Sequence, residues 1–393
     1  MEQQIYYVDT FGVRQTHEVY NAALLEMCVL IFGQVECRLS CSSYVNMKTL
    51  LDEETLAKVR YEPVFVPEGN GRLSLLWRYL CGAWNIWKYL WCIPVGALLV
   101  IPYNNVFALR VLNFLNKFRK RKIIVCCHGE LEYLTHDRTP QGILTKLIAR
   151  LVRSFFRNPR IRIADNLYFS ILGEKLKENL ASYISTDKIE RFIVFDHPCL
   201  ASRNPQSDSY TSGRISISTV GTLNKQKGAD AFLEFVKAIP DDYRLRLSIS
   251  VTGHVAGVDN EYLATLGVAT LPVNCQMSRE QLIHRLAKAD YLLFLHSRET
   301  YAVTASGAVM DAITLGKPII ALENDYFNYL FSKYGRFGVL APSPMVMVEQ
   351  LTEILDGRFV PDTDFINIRQ QLSPVSVARQ LREQLIRIGF IYC

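Results

Sequence analysis

The chain has 393 residues, which is long for one domain, so its length predicts two domains. Hydrophobic residues make up 49% and charged residues 21%, a composition that excludes a disordered, collagen-like or coiled-coil protein. The net charge is +6. The ten cysteines lie mostly in apolar runs and form no regular CxxC pair. They predict buried thiols in a reducing compartment rather than a disulfide framework or a metal site.

Strand and helix patterns alternate through the first part of the chain. The N-terminal segment MEQQIYYVDTFG lacks the basic start of a signal peptide and enters a strand almost at once. The predicted elements are, in order, the strand QQIYYVD, the helix HEVYNAALLEMCVLIFG, the strand VECRLS, the helix MKTLLDEETLAKV, the strand YEPVFV, the helix RLSLLWRYLCGAWNIWKYL, the strand ALLVIP, the helix NVFALRVLNFLNKFRKRK and the strand IIVCCHG. Such alternation, with strands apolar nearly end to end, indicates a parallel sheet with right-handed crossovers.

Residues 84–102 allow two interpretations. These nineteen residues contain one charge, Lys88, and a transmembrane helix needs about 20 such residues. Pro94 interrupts the stretch, and its aromatic residues cluster in the first half. We therefore expect a helix followed by a buried strand in preference to a membrane span.

Residues 200–213 are rich in Ser, Pro, Asn and Gly, which is typical of a linker. The alternation then restarts with RISISTVG, ADAFLEFVKAI, RLRLSISVTG, VATLPV, SREQLIHRLAKA, DYLLFLH, SGAVMDAITLG and KPIIAL, and ends in the amphipathic helix VSVARQLREQLIRIGF. The predicted fold is α/β, with two Rossmann-like doubly wound domains, 1–203 and 204–373, that face each other across a cleft. The C-terminal helix, 374–393, is expected to pack back toward the N-terminal domain.

Ligands in open α/β sheets bind beyond the carboxyl ends of the strands. The candidate residues are therefore those that directly follow predicted strands: Gly12, His128, residues 221–228, Gly253, His254 and residues 296–307.

Two segments of the second half resemble GT-B glycosyltransferases, especially their family-4-like group. STVGTLNKQKGADAFLEF is similar to their phosphate-loop signature, V-G-R-L followed by K-G and a helix. YLLFLHSRETYAVTASGAVMDAITLGKPIIA is similar to their donor-site signature, in which a second acidic residue opens E-A-x-x-x-G-x-P-V-I. That element is here Asp311-Ala312 followed by Gly316 and Pro318, and the resemblance covers about residues 213–325.

The first half resembles the same family at two places. The segment from Gly12 to His17 is similar to its N-terminal glycine loop, and His128 is similar to its histidine after an N-domain strand. The resemblance implies a GT-B fold in which residues 1–203 bind an acceptor and residues 204–373 bind a nucleotide-sugar donor. Gly12 would then belong to an acceptor or diphosphate loop.

The sequence departs from the family pattern at two points. The family's Arg after the first glycine, Gly221, is Thr222 here. The family's two acidic residues are eight positions apart, whereas Glu299 and Asp311 are twelve apart, and Val303 stands at the eighth position. The Ala-x-x-x-Gly-x-Pro frame fixes the register of Asp311.

The donor-site residues suit a nucleotide diphosphate. Ser306 is a good N-cap and Gly307 allows a close backbone approach, so this helix start leaves N–H groups for an anion. Lys227 and Gly228 place a cation beside a second helix start. Asp311 is four residues beyond Gly307, on the same helix face and in reach of ribose hydroxyls. The alternative is that Ser306 is only an N-cap and Lys227 only a solvated charge.

Catalytic roles are open at the level of sequence. The resemblance implies that His128 contacts the donor sugar, and the alternative is a hydrogen-bonded core histidine. Glu130 is either the general base of an inverting enzyme or a surface carboxylate. Glu299 would face the donor sugar or its diphosphate. Arg298 is a candidate to neutralise phosphate in place of the Arg absent at Thr222.

Basic residues concentrate in residues 117–162. This segment has twelve Lys or Arg and three acidic residues, a net +9, which leaves −3 for the rest of the chain. Within it GILTKLIARLVRSFFR is amphipathic, with an apolar stripe and a basic face of Lys146, Arg150, Arg153 and Arg157. The pattern fits a peripheral contact with an anionic membrane or an ordinary core-facing helix. No nucleic-acid motif accompanies the charge, so nucleic acid is not an expected partner.

The sequence thus predicts a glycosyltransferase that moves a sugar from a nucleotide-diphosphate donor to a hydroxyl of a glycan or lipid-linked acceptor. The resemblance implies no bound metal and no cofactor, the nucleotide sugar being a substrate. The expected location is the cytoplasm, either without membrane contact or at the inner face of the membrane. Two alternatives stay open: a sugar-nucleotide epimerase of the same architecture, and a non-catalytic nucleotide-sugar-binding or scaffold protein.

Overall fold

The structure is a computed structural model that describes residues 3–69, 71–135, 142–200, 213–271, 277–296, 301–361 and 363–392. The chain forms two compact units. The first unit contains residues 1–200, 303–305 and 372–393, and the second contains residues 201–302 and 306–371.

Each unit is built on one parallel sheet. In the first unit the strand order is β3-β2-β1-β4-β5-β6-β7, with β1 Ile5–Val8, β2 Val35–Leu39, β3 Val59–Pro63, β4 Leu98–Ile101, β5 Lys122–Cys126, β6 Leu167–Leu172 and β7 Phe192–Phe195. In the second unit the order is β10-β9-β8-β11-β12-β13, with β8 Ile215–Val220, β9 Leu247–Thr252, β10 Val268–Ala269, β11 Tyr291–Phe294, β12 Ile319–Leu322 and β13 Gly338–Ala341. Both orders reverse direction beside the first strand, which is the doubly wound arrangement predicted from the sequence.

Helices cross over between the strands. Those of the first unit are α1 Glu18–Phe32, α2 Cys41–Leu50, α3 Glu53–Ala57, α4 Arg72–Cys92, α5 Leu109–Arg119, α6 Ile143–Phe156, α7 Glu174–Ala181, α8 Thr186–Ile189 and, at the end of the chain, α17 Pro374–Arg387. Those of the second unit are α9 Ala229–Ala238, α10 Asp241–Arg244, α11 Asn260–Thr265, α12 Arg279–Ala287, α13 Gly307–Leu315, α14 Asp325–Tyr334, α15 Pro344–Leu355 and α16 Phe365–Gln371. Short 3-10 turns occupy Gly129–Leu134 and Lys225–Lys227.

The C-terminal helix belongs to the core of the first unit. Leu381 and Leu385 of α17 are buried in one cluster with Leu25 and Cys28 of α1 and with Phe195 of β7. The Gln380 side chain also accepts a hydrogen bond from the backbone N–H of Asp196, at 2.9 Å. The predicted return of this helix to the N-terminal domain is therefore confirmed.

Residues 84–102, for which the sequence allowed a membrane span, form the end of a helix followed by a strand, as expected. Helix α4 ends at Cys92, before Pro94, and the buried strand β4 follows. Within the described ranges, no helix combines the length and the apolarity that crossing a bilayer requires.

Some predicted elements differ from the observed ones. The segment MKTLLDEETLAKV is two helices rather than one, because Asp52 is extended and its carboxylate caps α3 by accepting the N–H of Thr55. The third strand begins at Val59, two residues before the predicted YEPVFV, since Val59 pairs with Val35 of β2. Strands β6, β7 and β13 were not among the predicted elements.

Helix α6 shows how the basic segment is used. Ile148, Val152, Phe155 and Phe156 of its predicted apolar stripe are buried, whereas Ile143 and Leu147 at its start are exposed. On its basic face, Arg153 and Arg157 donate to the carbonyls of Tyr133 and Leu134 in the neighbouring 3-10 turn. Most of α6 is thus a core-facing helix, the second of the two interpretations.

Candidate functional site

A buried carboxylate shapes the loop after β1. One Asp9 oxygen accepts the backbone N–H groups of Phe11 and Gly12, at 2.9 and 2.8 Å, and the other accepts the Asn21 amide at 3.1 Å. A Cβ at Gly12 would overlap the Asp9 carboxylate, so the tight loop requires glycine. Burial raises the pKa of Asp9. The structure therefore places Gly12 at the carboxyl edge of the first sheet, and Asp9 is a residue that the sequence reasoning missed.

His128 follows β5 at the same edge. Its Nε2 lies 2.8 Å from the carbonyl oxygen of Pro102, and its ring stacks on His17 with centroids 4.5 Å apart. The ring of Tyr20 meets it edge-on at 5.0 Å. Burial, and then the neighbouring His17, lower the pKa of His128 to about 3. His128 is thus a neutral imidazole that donates from Nε2 and leaves Nδ1 as an acceptor.

Glu130 is held rigidly beside it. Its two oxygens accept the Asn104 amide at 2.8 Å and the backbone N–H of His128 at 2.9 Å. Burial raises the pKa of this carboxyl. Glu130 is therefore an oriented, partly buried group rather than a solvated surface carboxylate.

Glu132 has a different position from Glu130. Its carboxylate accepts the backbone N–H of Val303 at 2.8 Å, and residues 303–305 belong to the first unit. Glu132 therefore ties a later segment of the chain to the 3-10 turn after β5.

In the second unit, two glycines bring two loops together. Gly221 follows β8 with φ 76°, and Gly253 follows β9 with φ 156°. A Cβ at Gly253 would overlap the carbonyl of Gly221. Only glycine permits this close approach of the two loops at the carboxyl edge of the second sheet. Thr222, the departure from the family pattern, is the next residue in this loop.

Lys227 points at that loop. A methyl group placed on Gly221 would lie 3.8 Å from the Lys227 Nζ, and the backbone N–H of Lys227 is held by the Asn224 side chain at 2.9 Å. Burial lowers the pKa of Lys227. The next residue, Gly228, has φ 81°, and a Cβ there would overlap the carbonyl of Leu295. The backbone of Lys227 is therefore held in place, and its partly buried side chain lies against the Gly221 loop.

His296 completes this cluster. It follows β11, is 5% exposed, and its ring lies 4.3 Å from that of Tyr301. Burial, and then the charge of Lys227, lower its pKa to about 3. Among the residues that the structure describes, none hydrogen-bonds its Nδ1. The sequence named 296–307 only as a range after a strand, and the buried ring beside Lys227 is a finding of the structure.

Helix α13 starts at the same sheet edge. Ser306 is its N-cap, 4% exposed, and its hydroxyl makes no capping bond to the helix. Gly307 is exposed at the first position. The start of α13 thus offers backbone N–H groups that its own N-cap side chain does not occupy.

Asp311 has a partner that the sequence did not predict. Its carboxylate forms a two-point ion pair with the Arg279 guanidinium at the start of α12, with one pair of atoms 2.9 Å apart. The side chains are 10% and 21% exposed. Arg279 therefore fixes the orientation of the Asp311 carboxylate.

Two candidates, Arg298 and Glu299, lie outside the described residues. Within the described part of the chain, no group of three or more His, Cys, Asp or Glu side chains has the arrangement to hold a metal ion. Of the described candidates, Gly221, Thr222, Lys227, Gly228, Ser306, Gly307 and Asp311 belong to the second unit, and Gly12, His128 and Glu130 belong to the first.

No protein-family model and no curated protein matches the sequence. Solved structures do share its fold. WaaG, a glycosyltransferase involved in lipopolysaccharide biosynthesis, has a TM-score of 0.55 at 14% identity, covering 97% of this chain and 99% of its own. An α,α-trehalose-phosphate synthase (UDP-forming) from Burkholderia xenovorans has a TM-score of 0.52 at 10% identity, covering 97% and 100%.

A third structure, the N-terminal domain of trehalose-6-phosphate phosphatase from Candida albicans, has a TM-score of 0.57 at 12% identity, covering 98% and 97%. At such identities the likeness defines the fold, and the chain has the GT-B fold of glycosyltransferases. A protein named as a phosphatase contains the same fold, so the reaction has to be argued from the site.

Proposed function

We propose that the protein is a glycosyltransferase that uses a nucleotide-diphosphate sugar. The observation that supports this best is the cluster at the carboxyl edge of the second sheet. It combines the closely packed loops of Gly221 and Gly253, the partly buried cation Lys227, the buried His296 and the start of α13. Backbone N–H groups at a helix start together with a lysine are what a diphosphate requires.

Different residues of this cluster would bind different parts of the donor. The Lys227 ammonium and the α13 start would neutralise the diphosphate, whose leaving-group charge grows as the sugar–oxygen bond breaks. Asp311, oriented by Arg279, would accept hydrogen bonds from ribose hydroxyls. Thr222 would offer a hydroxyl donor where the family has an Arg, and Lys227 would then be the main cation of the site.

The polar edge of the first sheet would serve the acceptor. Because the pKa of Glu130 is raised, it is a better proton acceptor for a sugar hydroxyl than His128, whose pKa is lowered. His128 would instead accept a hydrogen bond at Nδ1 and position a hydroxyl. The acceptor would be a glycan or a lipid-linked glycan. No step in this scheme calls for a resident metal.

The donor site is tested by thermal shift with UDP, GDP, ADP, CMP and their common sugar derivatives, each with and without EDTA. We expect one nucleotide diphosphate to stabilise the protein, by about 2.7 kcal/mol at 100 times its Kd. Lys227→Ala should weaken that binding at least tenfold. Lys225→Ala, in the same 3-10 turn but exposed, is the matched control and should bind normally.

Turnover separates the remaining functions. Transfer of a labelled sugar to a hydroxyl acceptor supports the proposal, and Glu130→Gln should slow it while leaving nucleotide binding intact. Conversion of the donor without an acceptor would favour the epimerase. Binding without any turnover would favour a scaffold, and absence of binding to every nucleotide would refute the donor site.

A further inference from the structure

Helix α4 exposes an apolar face that the proposed reaction does not use. Five large apolar side chains lie on it, spaced four, three, four and seven residues apart, so they share one side of the helix. Their exposed fractions are Leu73 83%, Trp77 55%, Leu80 45%, Trp84 67% and Trp91 55%. The opposite side, with Tyr79, Ala83, Ile86 and Leu90, is buried. Three of the four tryptophans of the chain therefore lie on one open surface, here called the tryptophan face.

Helix α5 continues this surface. It packs against α4, and its Val111, Phe114 and Phe118 are exposed by 39%, 60% and 71%. The Arg119 guanidinium lies 4.2 Å from the Trp91 ring centroid, which joins the two helices at that end. The apolar surface thus spans two neighbouring helices, which is more than isolated exposed residues on a monomer.

The segment of the chain that carries the tryptophan face and α5 has charge of one sign. Residues 69–129 contain no Asp or Glu and nine Lys or Arg. The exposed ones are Arg72, Lys88, Arg110, Lys117 and Lys120. Lys88 lies within the tryptophan face itself, where a lysine side chain covers apolar surface with its stem and keeps its ammonium at the rim.

We propose that the tryptophan face and the exposed side of α5 dock on an anionic lipid bilayer. Tryptophan and phenylalanine partition into the membrane interface, and basic side chains bind anionic headgroups. A second copy of the chain fits less well, because a two-fold contact would bring Lys88 and the other basic side chains against themselves. This deepens the proposed function, since a lipid-linked acceptor is found at such a surface.

The test is flotation of the full-length protein with vesicles of phosphatidylcholine and phosphatidylglycerol (3:1) and of phosphatidylcholine alone. We expect binding to the anionic vesicles that weakens with salt. Trp84→Glu with Trp91→Glu should reduce it at least tenfold. Lys88→Glu should reduce it roughly fivefold or more, as expected for loss of one basic residue. The double variant Leu245→Glu with Ile366→Glu, at exposed apolar positions of the second unit, is the control and should bind normally.

Fluorescence locates the contact. Trp87 is only partly exposed and its indole N–H lies 3.4 Å from the Ala108 carbonyl oxygen, so it is an internal reference. In variants that retain a single tryptophan, brominated lipid should quench Trp84 and Trp91 more strongly than Trp87. Equal quenching of all three would contradict the proposed orientation.

Three results would overturn the proposal. The first is the absence of binding to anionic vesicles, and the second is binding that the Trp84 and Trp91 replacements leave unchanged. The third is a dimer in solution that these replacements dissociate, which would identify the occupant as a second copy. Nucleotide binding, with its dependence on Lys227, is measured without lipid. A failure of the membrane proposal is therefore distinguishable from a failure of the donor site.

Discussion

The carboxyl edges of the two sheets hold their polar groups in different ways. At the first edge, Asp9, Glu130 and His128 already have partners within the protein. At the second edge, two closely packed glycine loops lie beside Lys227 and a buried His296. On the proposed function, the first edge would orient side chains for contact with a neutral hydroxyl, and the second edge would offer a cation and the backbone N–H groups at the start of α13 to an anion. One doubly wound architecture would then support two kinds of binding, through different loop chemistry.

The glycine loops of the second edge pack backbone against backbone. A side chain added there should therefore have the largest effect on stability and on nucleotide binding. Gly228→Ala would force a Cβ into the Leu295 carbonyl in addition to the strain of φ 81°. We expect it to lower the free energy of unfolding by at least about 3 kcal/mol and to abolish nucleotide binding. Urea unfolding and the thermal shift measure both effects.

Gly257→Ala is the matched control for Gly228→Ala. Gly257 has φ 83°, but a Cβ there would meet nothing within 4 Å. Gly257→Ala should lower the free energy of unfolding by only about 1 kcal/mol, the cost of a positive φ for alanine, and should leave nucleotide binding unchanged. If the two variants lose equal stability, the overlap with Leu295 is not what requires glycine.

Replacement of Arg279 tests whether its ion pair with Asp311 orients the Asp311 carboxylate for nucleotide binding or only stabilises the fold. Arg279→Ala leaves a nearly buried carboxylate without its partner, and we expect a loss of about 3 kcal/mol in unfolding free energy. Nucleotide affinity should also fall, because Asp311 is no longer oriented. Arg285→Ala, exposed on the same helix, should change neither quantity.

A double-mutant cycle completes this test. Arg279→Ala combined with Asp311→Ala should be less destabilising than the sum of the two single variants, since each single variant strands the other partner. Additive losses would mean that the two side chains are not coupled.

Much of the fold was predictable because strands covered on both faces have an unmistakable apolar pattern. IIVCCHG and ALLVIP correspond to β5 and β4. Pro94 correctly predicted the boundary between helix α4 and strand β4. Helix breaks were harder to predict, because Asp52 ends one helix and caps the next within an uninterrupted helical pattern.

The site was predictable only in part. Local motifs identified Gly221, Lys227, Gly228 and the start of α13, because the residues of each motif are adjacent in sequence. The pairing of Asp311 with Arg279, thirty-two residues away, depends on the packing of α12 against α13, and no local pattern encodes it. The same holds for Asn104 on Glu130, twenty-six residues apart. Contacts between residues that are distant in sequence, which the fold brings together, cannot be predicted from the local motifs of one sequence.

The smallest expected effect concerns pH at the first edge. Since the pKa of folded His128 is about 3 and that of an unfolded histidine is about 6.5, the unfolded state binds more protons between these values. Stability therefore rises with pH across that window and levels off above about 6.5. Between pH 7 and pH 5 this one histidine should remove up to about 2 kcal/mol of unfolding free energy.

His128→Gln tests this, because glutamine keeps a polar side chain that does not titrate. The difference between wild type and variant, measured by urea unfolding from pH 5 to 7, isolates His128 from Glu130, whose raised pKa acts in the opposite direction. His284→Gln, at an exposed histidine on α12, should keep the wild-type profile. A His128→Gln profile parallel to that of wild type would mean that folding does not lower the pKa of His128. The ring would then be protonated below about pH 6.5, and in that range the first edge would present a cation as the second edge does.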